Sequence, residues 1–163
     1  MISETWRVLL EGLSASEQPQ RTLVALEQIC KQNVGHILFT VLLYDPERRE
    51  HERFYSSHQD AYPVSGRKPL SDGPWASQVI EKRQPFVANT IEDIATVFKD
   101  HELIRSLSCG SVLNLPVVFG GGVIGTVNLL EQTGYYTPER VAKGMSLLPE
   151  ATAALIATSW KAR

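Results

Sequence analysis

The segment from Ser111 to Glu131, SVLNLPVVFGGGVIGTVNLLE, constrains the fold of this chain more than any other. Two β-prone runs flank three consecutive glycines, which supply the positive-φ backbone that a tight strand reversal requires. If residues 120–122 form the loop, Asn114 lies opposite Asn128 and Phe119 lies opposite Val123. A register shift of one residue would move every side chain to the other face. The segment therefore predicts an antiparallel hairpin with two unlike faces.

One face of this predicted hairpin is apolar and suits packing against helices, with Gly125 leaving a gap. Its members are Leu113, Leu115, Val117, Val123, Val127 and Leu129. The other face is mixed and suits the wall of a ligand chamber. Its members are Asn114, Pro116, Thr126 and Asn128.

Length and charge narrow the class of protein. The 163 residues fit a single domain (residues 1–163, with 1–16 as an N-terminal helical extension) that is large enough to bury a core. The net charge of −2 comes from interspersed acidic and basic residues, which predicts no nucleic-acid or anionic-membrane surface. No apolar stretch reaches the roughly 20 residues of a membrane span, and the N-terminus lacks a signal-peptide pattern. With only two cysteines, Cys30 and Cys109, we expect a cytoplasmic protein with reduced thiols.

Hydrophobic periodicity predicts the element order α-α-β-β-α-β-α-β-β-α. The continuous apolar run ILFTVLLY at residues 37–44 suits a central strand, and the more polar EHERFYSS at 50–57 suits a strand near an edge. In the C-terminal helix, a coiled-coil-like spacing relates Val141, Met145, Leu148, Thr152, Leu155 and Ser159. Pro149 interrupts this seam, so either a kink or a second helix begins there.

Three segments together resemble the GAF domain, a small-molecule sensory fold related to PAS. They are FTVLLYDPERREHERFYSS, GPWASQVIEKRQPFVAN and SCGSVLNLPVVFGGGVIGTVNLLEQTGYYTPERV, and the resemblance extends from about Gln20 to the C-terminus. It implies an α+β fold with a central antiparallel sheet in strand order 2-1-5-4-3. It also implies terminal helices on one face of the sheet and short helices over a ligand chamber on the other.

Asn114 and Asn128 are the first candidates for ligand binding. Two facing amides on a chamber wall would present donors and acceptors to a ligand in a fixed frame. The alternative is a cross-strand pair in which the amides hydrogen-bond each other or the backbone. The resemblance places Trp75 at the helix entry that overhangs the chamber, where the alternative is ordinary core packing. Strand parity adds Tyr55, Thr40 and Phe98 as further candidates.

Cys109 suggests an enzymatic alternative, because free methionine-R-sulfoxide reductases resemble this fold and carry reactive cysteines near this position. Such chemistry needs a nucleophilic thiolate and resolving thiols, yet residues 58–89 contain no cysteine. Cys109 is followed by Gly110 and not by the histidine common at bilin attachment sites. We therefore expect no catalytic residues, and the four scattered histidines predict no metal site. The cofactor stays unknown.

The resemblance also implies a use for the terminal helices, which commonly form a four-helix dimer interface in GAF proteins. The apolar stripe Trp6, Leu9, Leu10 and Leu13 and the C-terminal seam are candidates for it. The alternative is that both simply cover the sheet. The leading hypothesis is a homodimeric sensor of an unknown small molecule that acts through these helices, on a separate effector protein or through dimer geometry. The rivals are a reductase that uses Cys109 and a ligand-free interaction domain.

Overall fold

The two long strands of the glycine-rich segment lie side by side within one antiparallel sheet. A computed structural model describes residues 1–161, so the last two residues of the predicted domain lie outside the described residues. Within them the strands are β1 (Leu38–Asp45), β2 (Glu50–Ser56), β3 (Lys68–Pro69), β4 (Phe86–Ala88), β5 (Ser111–Phe119) and β6 (Gly122–Glu131). Their order is β3-β2-β1-β6-β5-β4, and every neighbouring pair is antiparallel. Apart from the two-residue β3, this is the predicted order 2-1-5-4-3, and the fold class is confirmed.

Seven helices lie within the described residues. They are α1 (Glu4–Ser14), α2 (Gln20–Asn33), α3 (Pro74–Ala76), α4 (Ile91–Ala95), α5 (His101–Ser106), α6 (Pro138–Ser146) and α7 (Leu148–Lys161), and α3 continues as a π-helical segment, Ser77–Glu81. The side chains of Ser3, Thr90 and Thr137 each accept a hydrogen bond from a backbone N–H of the first turn, which explains where α1, α4 and α6 begin.

The helices form two separate layers on the sheet. Helices α1, α2 and α7 contact one another, and α7 also packs on β5 and β6. The core beneath them includes Leu9, Leu23, Leu26, Phe39, Leu113, Leu129 and Leu155. On the other face, Ile94 of α4 and Ile104 of α5 pack against Val112 and Leu130. Because neighbouring residues such as Val112 and Leu113 enter different cores, the sheet separates the two helical layers, as predicted.

The β5–β6 hairpin reverses through two residues and not three. Gly120 and Gly121 have φ of +63° and +87°, the two positive values that a type I′ turn needs. Phe119 consequently pairs with Gly122. The third glycine therefore belongs to β6.

A β-bulge in β6 compensates for the shorter turn. Val123 pairs with Val118 and Gly125 pairs with Val117, so Ile124 between them has no partner in β5. Asn114 therefore still lies opposite Asn128, as the three-glycine loop predicted. The predicted place of Val123 on the apolar face is wrong, because the bulge reverses the alternation and Ile124 packs against that core instead.

A second bulge lies where β1 meets β2. Leu42 pairs with Arg53, the next pair is Val41 with Tyr55, and Phe54 is the extra residue. Phe54 and Tyr55 both pack against the core beneath the terminal helices. Side chains of β2 on either side of this bulge therefore do not follow simple alternation.

The C-terminal segment consists of two helices rather than one kinked helix. Helix α6 ends at Ser146, and Pro149 lies in the first turn of α7, where its missing N–H costs no hydrogen bond. The predicted coiled-coil seam is followed in part: Leu155 is buried and Val141 and Leu148 pack against the core, whereas Met145 and Ser159 are exposed. The other buried positions of this segment are Gly144, Leu147, Glu150, Ala151, Ala154 and Thr158. A break at residue 147 restarts the helical phase, which a continuous repeat does not anticipate.

Candidate ligand chamber

A cavity of about 210 Å³ lies between the sheet and the short helices. Strands β1, β5 and β6 supply its floor through Thr40, Asn114 and Asn128. Trp75 and Phe98 reach the cavity from the side of the short helices. Asn114 and Asn128 are 3% and 4% exposed, so the polar floor is withdrawn from bulk water. A concave cavity with a few buried hydrogen-bonding groups among its apolar side chains is typical of small-molecule sites.

The two asparagines belong to a continuous chain of hydrogen bonds across three strands. The Trp75 indole Nε1–H donates to Asn114 Oδ1 over 2.9 Å, and Asn114 Nδ2 donates to Asn128 Oδ1 over 2.7 Å. Asn128 Nδ2 in turn donates to Thr40 Oγ1 over 3.2 Å. The cross-strand pair that was one of the two alternatives is thus present, and the same amides line the cavity, so their contact with a ligand stays a prediction. This chain fixes the orientation of every amide on the floor.

Charged and aromatic side chains form the opposite wall. The Arg53 guanidinium carbon lies 3.6 Å from the centroid of the Tyr62 ring, and Arg53 NH1 donates to the Pro63 carbonyl over 2.9 Å. The Tyr62 hydroxyl donates to the Asp100 carboxylate, which also lies 3.9 Å from Arg53 NH2. Burial, followed by the Asp100 charge, raises the pKa of Tyr62. The phenol therefore stays neutral and links the loop after β2 to the start of α5.

His51 completes this wall. Burial lowers the pKa of its imidazole below the ordinary value, and the positive charges of Lys68 and Arg53 lower it further. The ring is therefore neutral at pH 7. Its buried Nδ1 has no hydrogen-bond partner among the described residues.

Five of the six predicted ligand-binding residues line this cavity: Thr40, Trp75, Phe98, Asn114 and Asn128. Tyr55 does not line it. Because of the bulge at Phe54, Tyr55 faces the terminal helices, where its hydroxyl donates to the Glu27 carboxylate of α2 and its ring stacks edge-on against Phe39 at 5.9 Å.

Sequence reasoning missed the charged wall. The spacing of His51 and Arg53 in β2 was a usable signal, since alternate residues of a strand share a face. Tyr62 and Asp100 gave no such signal in the sequence, because they lie in irregular segments 38 residues apart.

A larger groove of about 660 Å³ lies at the turn between β1 and β2, close to the end of α7. Most of its walls are half-exposed or exposed side chains such as Glu47, Phe119 and Trp160, and Trp160 is 76% exposed. The smaller cavity is the better candidate site because its floor is buried and its hydrogen-bonding groups are fixed.

The thiols are unsuited to nucleophilic catalysis. Cys109 is buried among the short helices, its Sγ–H lies 3.7 Å from the Leu107 carbonyl oxygen, and burial raises its pKa to about 11. Cys30 is buried in the other core, and burial raises its pKa to about 12. Both thiols are therefore protonated at neutral pH, and the sheet separates them.

Residues 1–161 contain neither a metal-binding cluster nor a membrane-spanning helix. No group of three or more His, Cys, Asp or Glu side chains in that range is placed to hold a metal ion. No helix in the same range combines the length and apolar character needed to cross a bilayer.

Similarity to known proteins is found with one family model and with solved structures. A family model described as "GAF domain" matches residues 20–155. No curated protein matches the chain. Among solved structures, the GAF domain of a two-component sensor histidine kinase from Bacillus halodurans has a TM-score of 0.72 at 12% identity, over 91% of this chain and 100% of that one. A GAF domain/HD domain protein from Geobacter sulfurreducens has a TM-score of 0.67 at 19% identity, over 92% and 95%.

A third solved structure is the GAF domain from a phosphoenolpyruvate-protein phosphotransferase of Coxiella burnetii. Its TM-score is 0.69 at 13% identity, over 97% of this chain and 96% of that one. At these identities the likeness shows a shared fold.

Proposed function

This chain belongs to the GAF domain family, a family of small-molecule-binding sensory modules, and on that premise we propose that it binds a small molecule in the chamber and signals through its terminal helices. The observation that carries the proposal is the buried floor of the chamber, on which Trp75, Asn114, Asn128 and Thr40 form one hydrogen-bonded chain. These amides are held in fixed orientations beside an open cavity, which is the arrangement that small-molecule sites use to orient a ligand.

The route from chamber to surface is short. Strands β5 and β6 carry the amides on one face and contact α7 on the other. A ligand shifts the helices only if it binds two arrangements with different affinity. We place the hinge at the break between α6 and α7, next to Pro149, where the backbone already leaves the helical path.

The proposed module is a single domain that includes α1 and acts in the cytoplasm, either on a separate effector protein or through a second copy of itself. Burial and protonation of Cys109 support a binding role rather than a reductase role.

A homodimer through the terminal helices is the proposed assembly. Much of the predicted α1 stripe is used within the chain, since Leu9 is fully buried. Leu10 of α1 and Val24 of α2 remain 43% and 41% exposed and are the candidate contacts. Light scattering at micromolar concentration should return twice the 18.2 kDa of one chain. Leu10→Glu should halve that mass, whereas Val64→Glu, at a 47% exposed position in the loop after β2, should not. A wild-type monomer at all concentrations would rule the dimer out.

Ligand binding is tested by native mass spectrometry of freshly purified protein, followed by a thermal-shift screen of metabolites. A ligand at 100 times its Kd raises the free energy of unfolding by about 2.7 kcal/mol. Asn128→Leu should abolish the shift. The control Thr126→Val changes a similarly buried residue of β6 that does not line the chamber, and it should preserve the shift. A flat response across a broad library would favour a ligand-free interaction domain.

A further inference from the structure

The chamber offers hydrogen bonds but no net charge, and from this we infer that its ligand is a small uncharged molecule with a planar, amide-like edge. This inference rests on the proposed function and specifies the ligand class of the same site.

The charges on the chamber wall cancel each other. Arg53 and Asp100 are the charged residues among those that line it, and they lie 3.9 Å apart. Both are engaged elsewhere too, since Arg53 stacks on Tyr62 and donates to the Pro63 carbonyl, while Asp100 accepts from the Tyr62 hydroxyl. His51, the other ionisable group close by, is neutral. An anion would therefore meet Asp100 beside Arg53, and a cation would meet Arg53 beside Asp100. Burying either ion without a free counter-charge is unfavourable.

The floor selects the hydrogen-bonding pattern. Asn114 uses one N–H toward Asn128 and one oxygen lone pair toward Trp75. An amide carries two N–H donors and two acceptor lone pairs, so Asn114 retains one donor and one acceptor on the same planar group. The complementary ligand edge is an acceptor beside a donor, which is the edge of another amide.

Size and wall chemistry complete the description. The volume of about 210 Å³ corresponds to about seven water molecules at roughly 30 Å³ each. Phe98 and Trp75 supply flat apolar surfaces on the side of the short helices. A single aromatic ring that carries one amide matches this volume and these walls.

Benzamide, benzoate and benzamidinium test the inference because they share one shape and differ in charge. Their Kd values would be measured by NMR titration at pH 7, following the side-chain NH2 signals of Asn114 and Asn128 and the indole N–H of Trp75. For the wild-type protein we expect benzamide to bind at least tenfold more tightly than either ion.

Two variants should redirect this preference. Asp100→Asn leaves Arg53 without its counter-charge, so the affinity for benzoate should rise at least tenfold while that for benzamide changes less than threefold. Arg53→Gln leaves Asp100 without its counter-charge, so the affinity for benzamidinium should rise at least tenfold while that for benzamide changes less than threefold. Asp60→Asn removes an equal charge from an exposed position outside the chamber, so the order of the Kd values for the three compounds should not change. Tyr62→Phe removes the hydroxyl without changing charge and should also leave the benzamide-to-benzoate ratio within threefold of wild type.

The wild-type ranking decides the question even if a variant fails to fold. Equal or tighter binding of either ion would overturn the uncharged-ligand inference while supporting a ligand-binding chamber. Binding of none of the three would also overturn the inference, and the proposed function would then stand or fall on the metabolite screen. Benzamide binding that leaves the Asn114, Asn128 and Trp75 signals unmoved would place the ligand elsewhere and refute the inference.

Discussion

The hydrogen bond between the two buried amides predicts a specific failure of additivity. Asn128→Leu removes the bonds to Asn114 and Thr40 and leaves the Asn114 N–H unpaired. Asn114→Leu removes the bonds to Asn128 and Trp75 and leaves the indole N–H and the Asn128 oxygen unpaired. With about 1 kcal/mol for each lost bond and at least about 1 kcal/mol for each buried unpaired group, Asn128→Leu should lower the free energy of unfolding by about 3 kcal/mol and Asn114→Leu by about 4 kcal/mol.

The double variant should be less destabilised than the sum of the two. The bond between the amides is lost once and not twice, and neither amide remains to be left unpaired. We expect a coupling free energy of about 3 kcal/mol between Asn114 and Asn128, so the double variant should lose about 4 kcal/mol.

Urea denaturation followed by far-UV circular dichroism measures these differences, because this signal does not depend on the environment of Trp75. Equal m-values across the set would show that the same surface is exposed on unfolding. As a control, Asn128→Leu is combined with Thr22→Val, a change at a buried residue of α2 on the face of the sheet that carries the terminal helices, and these should add within about 0.5 kcal/mol. Additivity to the same tolerance between Asn114→Leu and Asn128→Leu would refute the continuous hydrogen-bond chain.

Three further predictions address packing, pH and thiol reactivity. A Cβ on Gly125 would approach the Leu42 carbonyl oxygen to 2.3 Å, whereas one on Gly122 would meet nothing within 4 Å. Gly125→Ala should therefore cost about 1–3 kcal/mol in urea denaturation and Gly122→Ala less than about 0.5 kcal/mol, and equal costs would contradict the close approach. Burial lowers the pKa of His36 from 6.5 to about 4, so the unfolded chain takes up this proton first as the pH falls. The contribution of the neutral His36 to the free energy of unfolding is complete above pH 6.5 and should decline by about 3 kcal/mol toward pH 4. His36→Gln should therefore flatten the plot of this free energy against pH between those two values. Cys109, with its pKa raised to about 11, should react with Ellman's reagent at pH 7 only after unfolding, and the protein should not turn over free methionine sulfoxide with a thiol reductant. Prompt labelling in the native state, or turnover that Cys109→Ser abolishes, would restore the reductase hypothesis.

The parts of the fold that follow from local periodicity were predictable. Alternation along β5 and β6 placed Asn114 opposite Asn128, and the glycines located the reversal between the strands. Thr90 and Thr137 are residue types that mark helix starts in a sequence, because a side-chain oxygen at the cap position satisfies an otherwise unpaired backbone N–H, and α4 and α6 do begin directly after them.

The incorrect predictions of which face a side chain occupies lie where one extra residue interrupts the alternation of a strand. The bulge at Phe54 turned Tyr55 away from the chamber, and the bulge at Ile124 exchanged that residue with Val123. A bulge shifts the alternation of its own strand by one residue, and the sequence does not say at which residue that shift falls. The charged wall was missed for a different reason, since Tyr62 and Asp100 meet only through tertiary structure.

The two bulges also have an evolutionary consequence. Each inserts its extra side chain on the side of the terminal helices, while the strand pairs on either side keep their partners. A one-codon deletion at Phe54 or Ile124 would thus trim the side that packs on the terminal helices and leave the chamber side in register. The two faces of the sheet can accordingly change by separate mutational steps.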